Sequence, residues 1–237
     1  MTKQMTLWLA VLCCIAGLSQ SAVAEGQPVD LALVLAVDAS GSVDDGEFAL
    51  QLAGIAAGFR DPVVRQAMKS GPEGRIAVML LVWADHQYPK DRTRWFTLAL
   101  AEDAEAFARV VETFPRHQNG ATGIGEGIAA ALRDIDTSGF NARRKVVDVS
   151  GDGRETAPRE YVVLLPQART MANALGVNIN GLAITNEDPS LLTYYRDAVR
   201  SGNGSFAVSA TDYADFAEAM KRKLLREIEY RPSISQR

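Results

Sequence analysis

The sequence has little cysteine, little histidine and no excess of basic residues. Among its 237 residues are two cysteines and two histidines, and 25 lysines and arginines stand against 29 aspartates and glutamates. The formal net charge of −4 means that no overall basic field attracts nucleic acid or an anionic membrane, so we expect neither as a partner. The scarcity of imidazole and thiol groups argues against a zinc site and against a catalytic triad.

What the sequence does have is typical of a folded protein. Hydrophobic residues make up 47% of the chain and charged residues 23%, which excludes a disordered or collagen-like protein. The length is ample for a hydrophobic core that needs no covalent cross-links.

The one long apolar run lies at the amino terminus. Residues 7–18 (LWLAVLCCIAGL) follow the positive charge of Lys3 and precede the small-x-small sequence Ala22-Val23-Ala24. This pattern predicts an export signal over residues 1–24, too short for a permanent membrane anchor. Both cysteines lie inside it, so residues 25–237 must be held together by packing alone. We expect those residues to form a single domain without a transmembrane segment.

Strand and helix patterns alternate along the rest of the chain. The predicted strands lie at 31–37, 75–83, 94–99, 145–149, 177–184 and 205–208. The predicted helices lie after Ser42 and at 102–114, 122–135, 158–175, 189–199 and near the carboxyl terminus. A polar link before 94–99 indicates a hairpin. The sequence therefore predicts a doubly wound, mostly parallel six-stranded α/β sheet with helices on both faces and an antiparallel edge strand.

Two local patterns carry further expectations. Ser42, with Asp45 three residues later, predicts the start of the first helix. The last helix carries a basic cluster, which we interpret as a solvated helix face; the alternative is a membrane or partner patch. The members of this cluster are Lys221, Arg222, Lys223 and Arg226.

Oxygen-bearing side chains gather where predicted strands end. Asp38, Ser40 and Ser42 follow the first strand, Asp152 follows the fourth, and Thr122 opens a helix between them. Sites in open α/β sheets form beyond the carboxyl ends of strands, so these groups are candidates for one site. Two carboxylates and three hydroxyls form a set of hard oxygen ligands that suits Mg²⁺, Mn²⁺ or Ca²⁺.

This pattern resembles the metal-ion-dependent adhesion site (MIDAS) of von Willebrand factor type A (VWA) domains. The segments LALVLAVDASGSVD, GRIAVMLLVW and VVDVSGDG further resemble a group of exported bacterial VWA-like proteins of unassigned function. The resemblance implies that Ser40, Ser42 and Thr122 meet a metal, preferably Mg²⁺, through their hydroxyls. It implies that Asp38 and Asp152 act directly or through water, and that the protein works in the periplasm or is secreted.

The leading hypothesis is an exported, non-enzymatic module that engages a carboxylate on a protein partner through a bound divalent metal. One alternative is a metal-dependent hydrolase of phosphate or peptide, for which Asp148 and Glu126 are the candidate bases. Another is an interaction subunit of an envelope complex that needs no metal. Structurally, the serines and Thr122 could instead cap helices while the aspartates close turns. Asp148 could support the metal ligands or pair with one of the neighbouring basic residues at 143–145, and we expect the structural role.

Overall fold

The structure, a computed structural model, describes residues 26–156 and 162–230. The predicted export signal at 1–24 lies outside the described residues, as do residues 157–161 in the predicted helix 158–175. None of the helices in the described ranges has the length and apolar character needed to cross a membrane.

The described residues contain nine strands and seven helices. The strands are β1 (Gln27–Val29), β2 (Leu31–Asp38), β3 (Ile76–Trp83), β4 (Asp91–Arg92), β5 (Phe96–Leu98), β6 (Phe140–Ala142), β7 (Lys145–Gly151), β8 (Asn178–Ile184) and β9 (Ala207–Ala210). The helices are α1 (Asp45–Arg60), α2 (Pro62–Ala67), α3 (Ala101–Glu112), α4 (Ile124–Asp136), α5 (Leu165–Ala174), α6 (Leu191–Tyr194) and α7 (Phe216–Ile228), with a π-helical turn, Tyr195–Val199, directly after α6.

The main sheet has the predicted doubly wound topology. Its order is β4-β3-β2-β7-β8-β9, and β5 also pairs with β3. The pairs from β3 through β9 are parallel, whereas β4 and β5 run antiparallel to β3 at the edge. The strand order therefore reverses between β2 and β7, and that switch point is where α/β sheets place their ligand sites.

The fold class and the antiparallel edge strand are confirmed. The main sheet has seven strands because the two-residue β4 joins it, and β1 and β6 form a separate parallel pair. These additional strands are two or three residues long, too short to show a hydrophobic period.

Burial on both faces explains why β2 reads as a continuous apolar run. All eight residues of β2 are buried. Leu33 and Leu35 belong to the apolar cluster that includes side chains of α1, α3 and α7. Val34 and Ala36 belong to the cluster on the other face, with side chains of α4 and α5. A strand covered by helices on both faces needs no polar alternation.

The predicted start of the first helix at Ser42 and Asp45 is wrong. Asp44 is the N-cap: its Oδ1 accepts from the Glu47 amide at 2.8 Å, and its own amide donates to Glu47 Oε2 at 2.9 Å. The Ser42 hydroxyl instead donates to Asp152 Oδ1 at 2.8 Å. Because that contact joins two distant loops, the serine is not available to cap the helix.

The interpretation of the basic cluster is wrong for Lys223, which is fully buried. Its Nζ lies 2.5 Å from Asp148 Oδ2 and 2.7 Å from Glu227 Oε1. The expectation that Asp148 pairs within 143–145 is therefore also wrong. Asn180 Nδ2 donates to the same Glu227 oxygen at 2.8 Å. A buried polar cluster thus joins α7 to the middle of β7 and β8.

Glycine permits α1 to approach α7 closely. A Cβ atom at Gly54 would lie 2.7 Å from Phe216 Cδ1 and 3.1 Å from the Cα of Ala217. The second of these atoms belongs to backbone, so the contact cannot be relieved by rotating a side chain. The small residue therefore sets the distance between the two helices.

We predict that Gly54→Ala destabilises the fold, although alanine normally favours a helix by about 1 kcal/mol. Overpacking against α7 should outweigh propensity and lower the free energy of unfolding by roughly 1–3 kcal/mol. Urea unfolding measures the difference. Gly46→Ala, on the exposed first turn of α1, is the matched control, and by helix propensity alone it should not lower the free energy of unfolding. A stabilised Gly54→Ala protein would contradict the packing.

Candidate functional site

The five predicted site residues come together at the carboxyl edge of the sheet. Asp38 is the last residue of β2, and Ser40 and Ser42 lie on the loop that follows it. Asp152 directly follows β7, and Thr122 lies just before α4. The site therefore occupies the switch point between β2 and β7, as the strand order requires.

A continuous chain of contacts joins the five side chains. Thr122 Oγ1 donates to Ser40 Oγ at 3.4 Å, and Ser40 Oγ lies 3.3 Å from Ser42 Oγ. Ser42 Oγ donates to Asp152 Oδ1 at 2.8 Å. Asp38 joins through its Oδ1, which accepts from the Ser40 amide at 2.7 Å. The helix-cap alternative fails for the two serines, because their hydroxyls contact each other and Asp152.

The site is closed below and open on one side. Asp38, Ser40, Thr122 and Asp152 are buried, whereas Ser42 is exposed. The second carboxylate oxygen of Asp38, Oδ2, lies beside Gly151 and has no hydrogen-bond partner among the described residues although it is fully buried. A buried carboxylate oxygen without a partner destabilises the folded state, so this position favours a bound cation.

Electrostatics at the site are unfavourable without a cation. Burial, and then the nearby Asp152 carboxylate, raise the pKa of Asp38 to about 7, against the opposing hydrogen bonds from Ser40. A divalent cation would reverse this effect by compensating both carboxylates. The donor set of carboxylate and hydroxyl oxygens fits a hard cation. No group of three or more His, Cys, Asp or Glu side chains in residues 26–156 and 162–230 is placed to hold a metal ion, so the candidate site relies on two carboxylates and three hydroxyls.

Arg116 braces the serine loop, a role that the sequence did not reveal. Its Nη2 donates to the backbone carbonyls of Ser40, at 3.1 Å, and Val43, and its Nη1 lies 2.7 Å from Asp45 Oδ1. These hydrogen bonds fix the loop that carries the Ser40 and Ser42 hydroxyls. Arg116 lies in a polar segment far along the chain, where no local pattern marks it.

Two further side chains support the aspartates. Gln51 Nε2 on α1 donates to the Asp38 carbonyl at 3.2 Å. The Tyr213 hydroxyl donates to Asp152 Oδ2 at 3.0 Å. Tyr213 lies in the turn before α7, and no local sequence pattern reveals its hydroxyl contact. Gln51 thus holds the backbone of Asp38, and Tyr213 holds the carboxylate of Asp152.

The Thr122 loop is fixed by a pair of hydrogen bonds with Thr156. The Thr122 amide donates to Thr156 Oγ1 at 2.9 Å, and the Thr156 amide donates to the Thr122 carbonyl at 2.9 Å. Gly41 donates through its amide to the carbonyl of Gly120, whose φ of +90° favours glycine. These contacts hold the three loops of the site together.

The candidate bases are engaged elsewhere. Glu126 Oε1 accepts from the Val163 amide at 2.6 Å, and Asp148 is buried against Lys223. His86 and His117 lie beside Asp85 and Asp91 respectively. The contacts made by Glu126 and Asp148 give neither carboxylate a position next to the five site residues.

A family model described as "Protein of unknown function (DUF1194)" matches residues 28–232. None of the curated proteins matches the sequence significantly.

Solved structures share the fold at low sequence identity. The pilus adhesin SpaC from Lactobacillus rhamnosus GG has a TM-score of 0.57 and 14% identity, over 85% of this chain and 30% of the adhesin. The vWF domain of the type V pili tip protein Mfa5 from Porphyromonas gingivalis has a TM-score of 0.54 and 13% identity, over 88% of this chain and 99% of that one. The chain therefore spans less than a third of the adhesin's length.

A third neighbour is proximal thread matrix protein 1 from the mussel byssus, in a structure with a zinc-occupied MIDAS motif. Its TM-score is 0.54 at 14% identity, over 84% of this chain and 45% of that protein. Together these likenesses confirm the VWA fold.

The pKa of Asp38 predicts a pH dependence of stability without metal. Its ordinary value of 3.8 rises to about 7 in the fold, so the folded state binds more protons between these values. The free energy of unfolding in EDTA should then fall as pH rises from about 4 to 7. Asp38→Asn, which cannot ionise, should be more stable than the natural protein at pH 8 by on the order of a few kcal/mol, and lose this advantage near pH 4.

Urea unfolding at several pH values measures both proteins. Asp136→Asn, on an exposed side chain of α4, is the matched control and should follow the natural protein throughout. A constant difference between Asp38→Asn and the natural protein across this range would contradict the electrostatic account.

Proposed function

The chain belongs to the DUF1194 family, and from that starting point we propose that it is an exported, non-enzymatic binding module. In this proposal, residues 1–24 are its export signal and residues 25–237 form one VWA-like domain. The domain engages an acidic group on a protein partner through a divalent metal, with Mg²⁺ as the expected ion. The proposed location is the periplasm or the cell exterior.

The observation that carries this proposal is the convergence of two buried carboxylates, Asp38 and Asp152, with three hydroxyls, while one Asp38 oxygen has no hydrogen-bond partner among the described residues. Ser40, Ser42 and Thr122 would hold the ion through hydroxyl oxygens, and Asp38 and Asp152 would balance its charge. When bound, the ion would supply a positive centre that attracts a carboxylate. The exposed side of the site, at Ser42, is the entry for that carboxylate.

The protein's own residues explain why such a site discriminates between ligands. Burial strengthens every charge interaction inside the crevice, and Arg116 and Tyr213 hold the loop and Asp152 in place before a ligand arrives. A preorganised site loses little conformational entropy on binding. Binding of a carboxylate therefore requires little reordering of the protein.

The structural neighbours support a binding role rather than catalysis. One is a pilus adhesin, another a pilus tip domain, and the byssus protein carries zinc in its MIDAS motif. Their identities of 13–14% limit this support to the fold and to the general use of such a site. The engagement of Glu126 and Asp148 in other contacts further disfavours the hydrolase alternative.

We predict that the purified protein binds Mg²⁺ and Mn²⁺ with measurable heat in calorimetry. Ser40→Ala should weaken binding by about tenfold or more, because a hydroxyl ligand is lost without a change of charge. Ser201→Ala removes a buried hydroxyl that donates to Asn173 Oδ1 beside the start of β8, away from the five residues, and is the matched control, which should bind as the natural protein does. Equal binding by both variants would exclude the proposed ligands.

The partner is tested separately, by affinity capture from envelope extract with Mg²⁺ and again with EDTA. The proposal predicts a protein that is retained with Mg²⁺ and released by chelator. Retention that EDTA does not change would favour the metal-independent subunit instead. Metal-dependent turnover in phosphatase and esterase screens would overturn the non-enzymatic role.

A further inference from the structure

A second polar cavity lies at the amino-terminal ends of the strands, on the side of the sheet opposite to the strand ends that carry the candidate metal site. It has a volume of about 210 Å³ and is lined by residues at the start of β7, the start of β8 and the end of α7. Its basic lining residues are Arg143, Arg144, Lys145 and Arg226. Four cationic side chains around one small cavity are unexpected in a chain whose net charge is −4.

Two of these cations are fixed by structural contacts. Arg144 Nη1 and Nη2 donate to the carbonyls of Glu227 and Ile228, at 2.6 and 2.9 Å, at the carboxyl end of α7. Arg143 donates to Glu73 Oε1 at 2.6 Å through Nη2. Arg144 Nε is buried and has no hydrogen-bond partner in the described ranges. The wall of the cavity therefore carries a held guanidinium with one unused donor.

The other two cations carry no carboxylate partner within residues 26–156 and 162–230. Arg226 stacks its guanidinium over the Phe206 ring, 3.7 Å from the ring centroid, and Phe206 itself lines the cavity. This stacking restrains the guanidinium while leaving its N–H groups unused. Lys145 is half-buried and makes no side-chain ion pair in the same ranges. Both charges are available to a ligand.

The floor of the cavity does not oppose an anion. Glu227 lies there with its side chain fully buried, and its Oε1 accepts from Lys223 and Asn180. Burial, and then the adjacent Asp148 carboxylate, raise the pKa of Glu227 well above its usual range, which favours the neutral carboxyl. Lys223 and Asp148 compensate each other. The surplus positive charge of the walls is thus not cancelled from below.

We propose that this cavity binds a phosphate group, carried by a soluble metabolite or by a lipid headgroup. Arg226 and Lys145 supply two cationic groups without a carboxylate partner in the described ranges, and Arg144 Nε adds one unused donor. This set suits a tetrahedral, multiply charged oxyanion, because arginine pairs with phosphate through two parallel N–H bonds. A single carboxylate has fewer acceptor positions and less charge to engage these groups. This site is independent of the metal proposal, since its residues lie at the other edge of the sheet.

The test is a titration of the ¹⁵N-labelled protein with inorganic phosphate in EDTA, followed by NMR. We expect saturable shifts of the amides of Lys145, Asn178 and Phe206. Lys145→Gln combined with Arg226→Gln should weaken the apparent affinity by about tenfold. The control variant, Lys221→Gln combined with Arg222→Gln, also removes one lysine and one arginine charge. Both of its residues lie on α7 outside the cavity lining, so the affinity should change less than about twofold.

The absence of saturable shifts in the natural protein, or an equal loss in the two double variants, would overturn the proposal. Sedimentation with vesicles of phosphatidylcholine, with and without phosphatidylglycerol, identifies the source of the phosphate. Binding to the anionic vesicles that is lost only in the cavity variant assigns a lipid headgroup. Phosphate-induced shifts without vesicle binding assign a soluble phosphate compound.

Discussion

The proximity of two buried carboxylates at the carboxyl edge of one sheet is the constraint around which the candidate site is organised. Neither Asp38 nor Asp152 has an ion pair with any described residue, and burial raises the pKa of Asp38. Their contacts come instead from neutral donors, the Ser40 amide, the Ser42 hydroxyl and the Tyr213 hydroxyl. Burying two neighbouring carboxylates without a compensating charge destabilises the folded protein. A cation shared between the two groups would remove this destabilisation.

The fold makes this arrangement possible. Because β2 and β7 are adjacent parallel strands on either side of the switch point, their carboxyl ends bring Asp38 and Asp152 together. Helices pack on both faces of β2 and hold its end away from solvent. Arg116, Gln51 and Tyr213 then fix the loops and the aspartates from different elements. The rigidity of the site follows from the packing of the whole sheet rather than from one loop.

Much of this could be predicted from the sequence, because the signals are local. The continuous apolar run at β2 shows a strand covered on both faces, and the spacing of Asp38, Ser40 and Ser42 places three groups on one loop. Arg116 escaped prediction because its partners are backbone carbonyls far along the chain. Lys223 was misread because helix periodicity cannot reveal a buried partner such as Asp148 on another element. The Asp44 cap was missed because the sequence pattern favoured Ser42 as the start of the helix, and a local pattern cannot show that the Ser42 hydroxyl donates to the distant Asp152.

The two edges of the sheet differ in chemistry, with paired carboxylates at one edge and a basic cavity at the other. The central claim concerns the first edge, and anomalous diffraction from crystals grown with Mn²⁺ tests it most directly. The account predicts one anomalous peak within about 2.0–2.6 Å of the hydroxyl oxygens of Ser40 and Ser42, as expected for oxygen ligands of hard cations. Density without a peak at that position, at saturating Mn²⁺, would contradict it.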